Sequence, residues 1–158
     1  MSITIDYFFN HSDSLFELAK NVNLQLGCSL APYEGDSEDL FCRFFGMEFS
    51  LSRHELENDD ECNFEDYIYE LGFRVPAPNG DLRSVQLPAI TLVAYTLYHR
   101  MNLTGMLVYD TQILLANYEE RQEPESNRPE LYDSVSGRFI SFPAHFETLQ
   151  KRLPELVF

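Results

Sequence analysis

Apolar and polar positions alternate along this 158-residue chain in a way that predicts a series of strands and helices. Ile3 to Phe9 is rich in β-branched and aromatic residues and predicts a first strand. Asn10, His11, Ser12 and Asp13 then offer several N-caps. Beyond them Leu15, Leu18, Val22 and Leu26 recur at helical spacing until Gly27 stops the helix. Residues 28–39 read as a polar loop. Leu40 to Phe45, apolar on both faces, predicts a strand central in a sheet. Gly46 marks a bulge or turn. Met47, Phe49 and Leu51 next alternate with Glu48, Ser50 and Ser52, the pattern of a half-buried strand. Tyr67, Tyr69, Leu71, Phe73 and Val75 share one face of a further strand. The two strands form an antiparallel pair with an acidic loop, Arg53 to Asn63, at its tip.

Pro76 to Gly80 punctuates the chain, and Pro88 sits where a first helical turn tolerates proline. The helix it opens carries Ile90, Ala94, Leu97 and Met101 along one stripe and ends at Asn102 and Gly105. Met106 to Asp110 and Gln112 to Tyr118 read as a hairpin around Asp110–Thr111, with a helix as the alternative for the second arm. Glu119 to Glu130 is polar, holds two prolines and predicts a mobile loop. A short strand, Arg138 to Phe142, precedes a C-terminal helix opened by Pro143, with Phe146, Leu149 and Leu153 on one stripe. The expectation is one globular α+β domain over residues 1–158, a mostly antiparallel sheet with about three helices packed on it.

Composition narrows the function classes. A net charge of −15 would favour disorder in a weakly hydrophobic chain, but 44% hydrophobic and 14% aromatic residues supply a core. The opening MSITIDYFF lacks a basic n-region, and the longest apolar run, Leu87 to Tyr98, falls short of the roughly 20 residues a bilayer needs. No membrane partner and a cytoplasmic location are expected. Cys28, Cys42 and Cys62 are odd in number and form no C-x-x-C pair, so free thiols are expected. Two lysines and nine scattered arginines make no basic groove, which argues against direct nucleic-acid binding.

The charge is concentrated. Between Pro32 and Glu70 stand thirteen acidic residues and two arginines, Arg43 and Arg53. Within that stretch Glu55, Glu57, Asp59, Asp60, Glu61, Glu65 and Asp66 are dense enough to attract cations or basic surfaces. Tyr67 and Tyr69 beside them suit either sheet packing or an interface, because tyrosine has an apolar body and a polar tip. The plain alternative is a self-repelling loop that keeps the chain solvated.

Motif chemistry is sparse. An EF-hand loop counted from Glu57 needs glycine at its sixth position and finds Cys62. His54-Glu55 opens like H-E-x-x-H, but Asn58 replaces the second histidine. Asp133 to Gly137 reads as a turn, and no glycine-rich phosphate loop occurs. No catalytic residue, cofactor site or metal ligand is therefore assigned. Carboxylates converging from separate elements could still serve a small metal-dependent hydrolase, and a structural or adaptor subunit is a third class.

The segments GMLVYDTQILLANYEE and LYDSVSG, separated by a polar loop, resemble small bacterial immunity proteins of polymorphic toxin systems. In that family a hairpin often precedes an aspartate-glycine turn and a final helix. The resemblance implies a cytosolic inhibitor that blocks a toxin by surface complementarity, and an acidic inhibitor suits a basic toxin. The leading expectation is a non-enzymatic acidic binding protein that docks a basic protein partner.

Overall fold

The computed structural model describes residues 5–32, 39–58, 62–74, 86–109, 113–118, 130–133, 138–141 and 147. In chain order its elements are β1 (Ile5–Phe9), α1 (Leu15–Leu26), β2 (Ala31–Pro32), β3 (Leu40–Phe44) and β4 (Met47–Arg53). A 3-10 turn (Phe64–Asp66), β5 (Tyr69–Arg74), α2 (Leu87–Met101), β6 (Gly105–Tyr109), β7 (Ile113–Tyr118), β8 (Glu130–Asp133) and β9 (Arg138–Ser141) follow. The architecture is α+β. Seven strands form one antiparallel sheet in the order β2-β3-β4-β5-β1-β6-β7, and β8 pairs with β9 in a second, two-stranded sheet.

β1 is buried at all five positions, which requires cover on both faces of the sheet. Its odd residues, Ile5, Tyr7 and Phe9, share a core with Phe49, Leu51, Leu71, Phe73 and Leu107 beneath α1 and α2. Phe49 and Phe73 stack at 4.6 Å there, and burying each such ring contributes about 2–3 kcal/mol. The buried Tyr7 hydroxyl donates to the Leu103 carbonyl at 2.5 Å, so its polar tip is satisfied within the apolar layer. Its even residue Phe8 faces the other way, into a second and smaller cluster with Cys62, Phe64, Met106 and Val108.

Local chemistry explains both helices. Ser14 accepts from the Glu17 N–H at 3.4 Å as the N-cap of α1, and Gly27 closes it at φ 69°, ψ 34°, the left-handed geometry that glycine adopts without strain. The cap is thus one residue beyond the predicted group. Pro88 occupies the first turn of α2, Asn102 closes it at φ 53°, and His99 and Arg100 complement the dipole of its last turn.

The structure departs from the sequence reading at several points. β3 is not central, because only the two residues of β2 lie beyond it; its two-faced apolar pattern comes from Phe41, half-buried on the second face. The β3–β4 turn is built by Phe45 and Gly46, both at positive φ (53° and 73°). Phe45 was expected to end the strand; its left-handed backbone, unfavourable for a bulky residue, is offset by ring contact with Phe44 at 4.4 Å. β7 is a strand rather than a helix. Its Ala116 faces Leu107 while Leu114 faces Val108, leaving Leu115 as the extra residue of a bulge.

β8 begins where a loop was predicted. Two α-helices are present among the described residues rather than about three; of the helix expected from Pro143 only Glu147, which is helical, is described, and Val75 and the Asp110–Thr111 turn lie outside the described residues. Among the described residues no helix is long and apolar enough to cross a membrane.

Candidate binding face

The acidic stretch joins β4 to β5 at the end of their antiparallel pair, as the sequence predicts. Its apolar residues fold back on the second face of the sheet. Cys62 and Phe64 are buried against Phe8, Met106 and Val108, with Leu56, Tyr67 and Leu114 packed around them. The Phe64 ring meets Phe8 edge-on at 4.9 Å. These residues interrupt the acid run at Leu56, Cys62 and Phe64, and that interruption is the sequence signal of an anchored flap.

Four polar residues fix the flap. His54, at the end of β4, accepts the Leu56 N–H on Nδ1 at 3.1 Å. Its Nε2 lies 2.5 Å from the Tyr67 carbonyl oxygen, which can only accept, so Nε2 carries the ring hydrogen. Burial lowers the His54 pKa below its ordinary value, a shift partly countered by the bond to Tyr67. Asn58 and Glu65 bond reciprocally: the Glu65 N–H donates to Asn58 Oδ1 at 2.8 Å and the Asn58 N–H to Glu65 Oε2 at 3.4 Å. Asn10, just past β1, donates from Nδ2 to the Asp66 carbonyl and accepts the Ile68 N–H at 2.8 Å. That side chain does the work of a strand pair where the backbone has diverged.

The predicted partner-binding residues separate into three groups. Glu55, Glu57, Glu65 and Asp66 are exposed on the outer side of the flap. Asp59, Asp60 and Glu61 lie outside the described residues. The two tyrosines, expected on one strand face, belong to different layers. Tyr67 precedes β5 and is half-buried in the second-face cluster, whereas Tyr69 is 2% exposed in the main core, with its hydroxyl donating to the Asp13 carbonyl at 2.6 Å. Tyr69 is therefore a packing residue, not a surface anchor. Ile68, 49% exposed between them, takes the apolar surface position instead.

Asn10, His54 and Asn58 were missed because their partners are set by the fold. Arg53, one of the two arginines of the acidic stretch, lies 5.9 Å from the Tyr69 ring centroid.

A second group of acids stands on the same sheet face. Asp6 of β1 is buried over Gly72 of β5, where an added Cβ would meet Asp6 Oδ1 at 2.0 Å. Glu70, opposite Phe8 on β5, is pushed up to about 7 by burial and by the charge of Asp6, against the lowering effect of Arg74. Among the described residues no three of His, Cys, Asp or Glu are grouped as metal ligands would be. A cleft of about 160 Å³ opens elsewhere, between the end of α1, α2 and the β3–β4 turn. Leu26, Phe44, Phe45 and Leu92 line it together with Arg100, and among the described residues no carboxylate does.

Comparison with protein-family models, with curated proteins and with solved structures gave no match for this chain.

Proposed function

We propose that this chain is a non-enzymatic acidic binding protein whose flap, residues 54–68, docks a basic protein partner. One observation carries the reading: Glu55, Glu57, Glu65 and Asp66 are held exposed on a segment whose apolar residues are sunk into the sheet. A loop that only solvates the chain needs no such anchoring. A fixed array of like charges steers an oppositely charged partner and presents an ordered surface on contact. Ile68, exposed beside the carboxylates, offers an apolar contact at the same place. The resemblance of the C-terminal half to immunity proteins gives the partner a class, a basic toxin met in the cytoplasm.

The reading is tested by capturing partners from the native lysate at low and high salt, then measuring association of the captured basic protein. Charge reversal at Glu55, Glu57, Glu65 and Asp66 is expected to lower the on-rate by about tenfold or more and to flatten its salt dependence. An unchanged on-rate removes the flap from the docking step.

A second reading, a small metal-dependent hydrolase, draws on Asp6 and Glu70, two carboxylates brought onto one sheet face from separate strands. It requires divalent-metal binding that Asp6→Asn abolishes. Calorimetric titration with Mn²⁺ showing no such binding sets it aside.

A further inference from the structure

We propose that His54 is a pH-operated latch: its neutral ring ties the two ends of the acidic flap together, and protonation releases the flap from the sheet. Both ring nitrogens are committed to the neutral form. Nδ1 spends its lone pair on the Leu56 N–H, and Nε2 spends its hydrogen on the Tyr67 carbonyl. A proton added at Nδ1 faces the Leu56 N–H, so two donors oppose each other where one bond stood.

The new charge also falls in an apolar setting. The His54 ring meets Phe8 edge-on at 5.0 Å and Phe64 at 6.2 Å, and burial already disfavours the imidazolium. The elements around the ring bring other titratable groups. Arg53 precedes it, Tyr67 and Cys62 lie in the flap's apolar layer, and Glu55, Glu57, Glu65 and Asp66 occupy the exposed side. Asp6 and Glu70 share the sheet face with Phe8. Neither described ring-nitrogen bond of His54 goes to a carboxylate.

Release exposes Phe8, Cys62, Phe64, Met106 and Val108, and removes the fixed spacing of the acids above them. The latch thus regulates the surface assigned to docking. Its effect on docking rests on that reading, whereas the opening itself does not and is measured without a partner.

Cys62, fully buried on the sheet-facing side of the flap, reports the opening. The intact chain is labelled with 4,4′-dithiodipyridine, which reacts with thiols in mild acid, between about pH 7.5 and about pH 5. Peptide mass spectrometry separates Cys62 from Cys28 and Cys42, and rates are divided by those of the denatured chain at the same pH. In parallel, long-range ¹H–¹⁵N spectra follow the His54 ring, and circular dichroism follows the fold. The expected result is an Nε2–H tautomer near neutrality and a Cys62 labelling rate that rises about tenfold with the same midpoint as His54 protonation, while the sheet signal is retained.

His54→Gln, whose amide can donate to Tyr67 and accept from Leu56 without titrating, is expected to abolish the pH dependence. If that variant leaves the flap open at every pH, coincidence of the two wild-type midpoints decides the matter. Cys62 remaining closed in the wild type after His54 is charged, or opening in His54→Gln with an unaltered midpoint, overturns the latch.

Discussion

The carboxylate of Asp6 lies directly over Gly72 of the neighbouring strand, in space that any other residue's Cβ would occupy at 2.0 Å from Oδ1. Glycine is required here for close approach rather than for an unusual φ. Gly72→Ala is expected to destabilise the chain by about 2–3 kcal/mol, because a buried carboxylate or a central strand must shift. Thermal unfolding measures the loss. Combining Gly72→Ala with Asp6→Ala should cost much less than the two losses added.

Glu70 sets a pH dependence of stability. Its folded pKa stands at about 7 against an ordinary 4.5, so the folded chain holds a proton that the unfolded chain releases between those values. The resulting stabilisation is fully present below pH 4.5 and is lost as the pH rises through 7. Glu70→Gln, a fixed stand-in for the protonated form, should therefore raise stability at pH 8 by roughly 2–3 kcal/mol and change it little at pH 4.5. Denaturant unfolding at the two pH values checks the sign. His54 works in the opposite direction, since its lowered pKa removes stability as the pH falls below its ordinary 6.5.

Asn10 substitutes for a missing strand pair at the flap's C-terminal end. Asn10→Ala should cost about 1–2 kcal/mol and speed hydrogen exchange at the Ile68 amide while β4 and β5 amides keep their protection. Equal acceleration across the sheet would show that the clamp is not local.

The Cys28 thiol is pushed up to about 12, first by burial and then by the neighbouring Cys42 thiol, and it also donates to Asn23 Oδ1 at 3.2 Å. It is expected to alkylate with iodoacetamide at pH 8 about a hundredfold more slowly than in the denatured chain. Matching rates would contradict that environment.

Much of the fold was legible because local pattern and burial agree. The Leu15–Leu26 helix, the alternation from Met47 to Leu51 and the proline-opened α2 bury the residues their periodicity marks, except Leu26 and Met101 at the two helix ends, which are half-buried. The β3–β4 turn was only half legible: Gly46 signalled it, but nothing in Phe45 signals a positive φ that ring contacts with Phe44 and Phe73 help to hold. The exposed acids of the candidate site were visible as composition. Its geometry was not, because strand parity put Tyr67 and Tyr69 on one face, whereas the chain enters β5 only at Tyr69. The clamps are non-local as well. Asn10 acts across 56 and 58 residues, and a histidine bonded at both nitrogens looks like any other histidine in sequence.

The central claim, that the outer carboxylates of the flap recruit a basic protein, is tested most directly by paired affinity capture. Wild type and the variant reversed at Glu55, Glu57, Glu65 and Asp66 are compared in the same native lysate, at low and high salt. The account predicts a basic protein enriched by the wild type at low salt, and depleted both by high salt and by charge reversal. Recovery of the same proteins by both forms at both salt levels would contradict it.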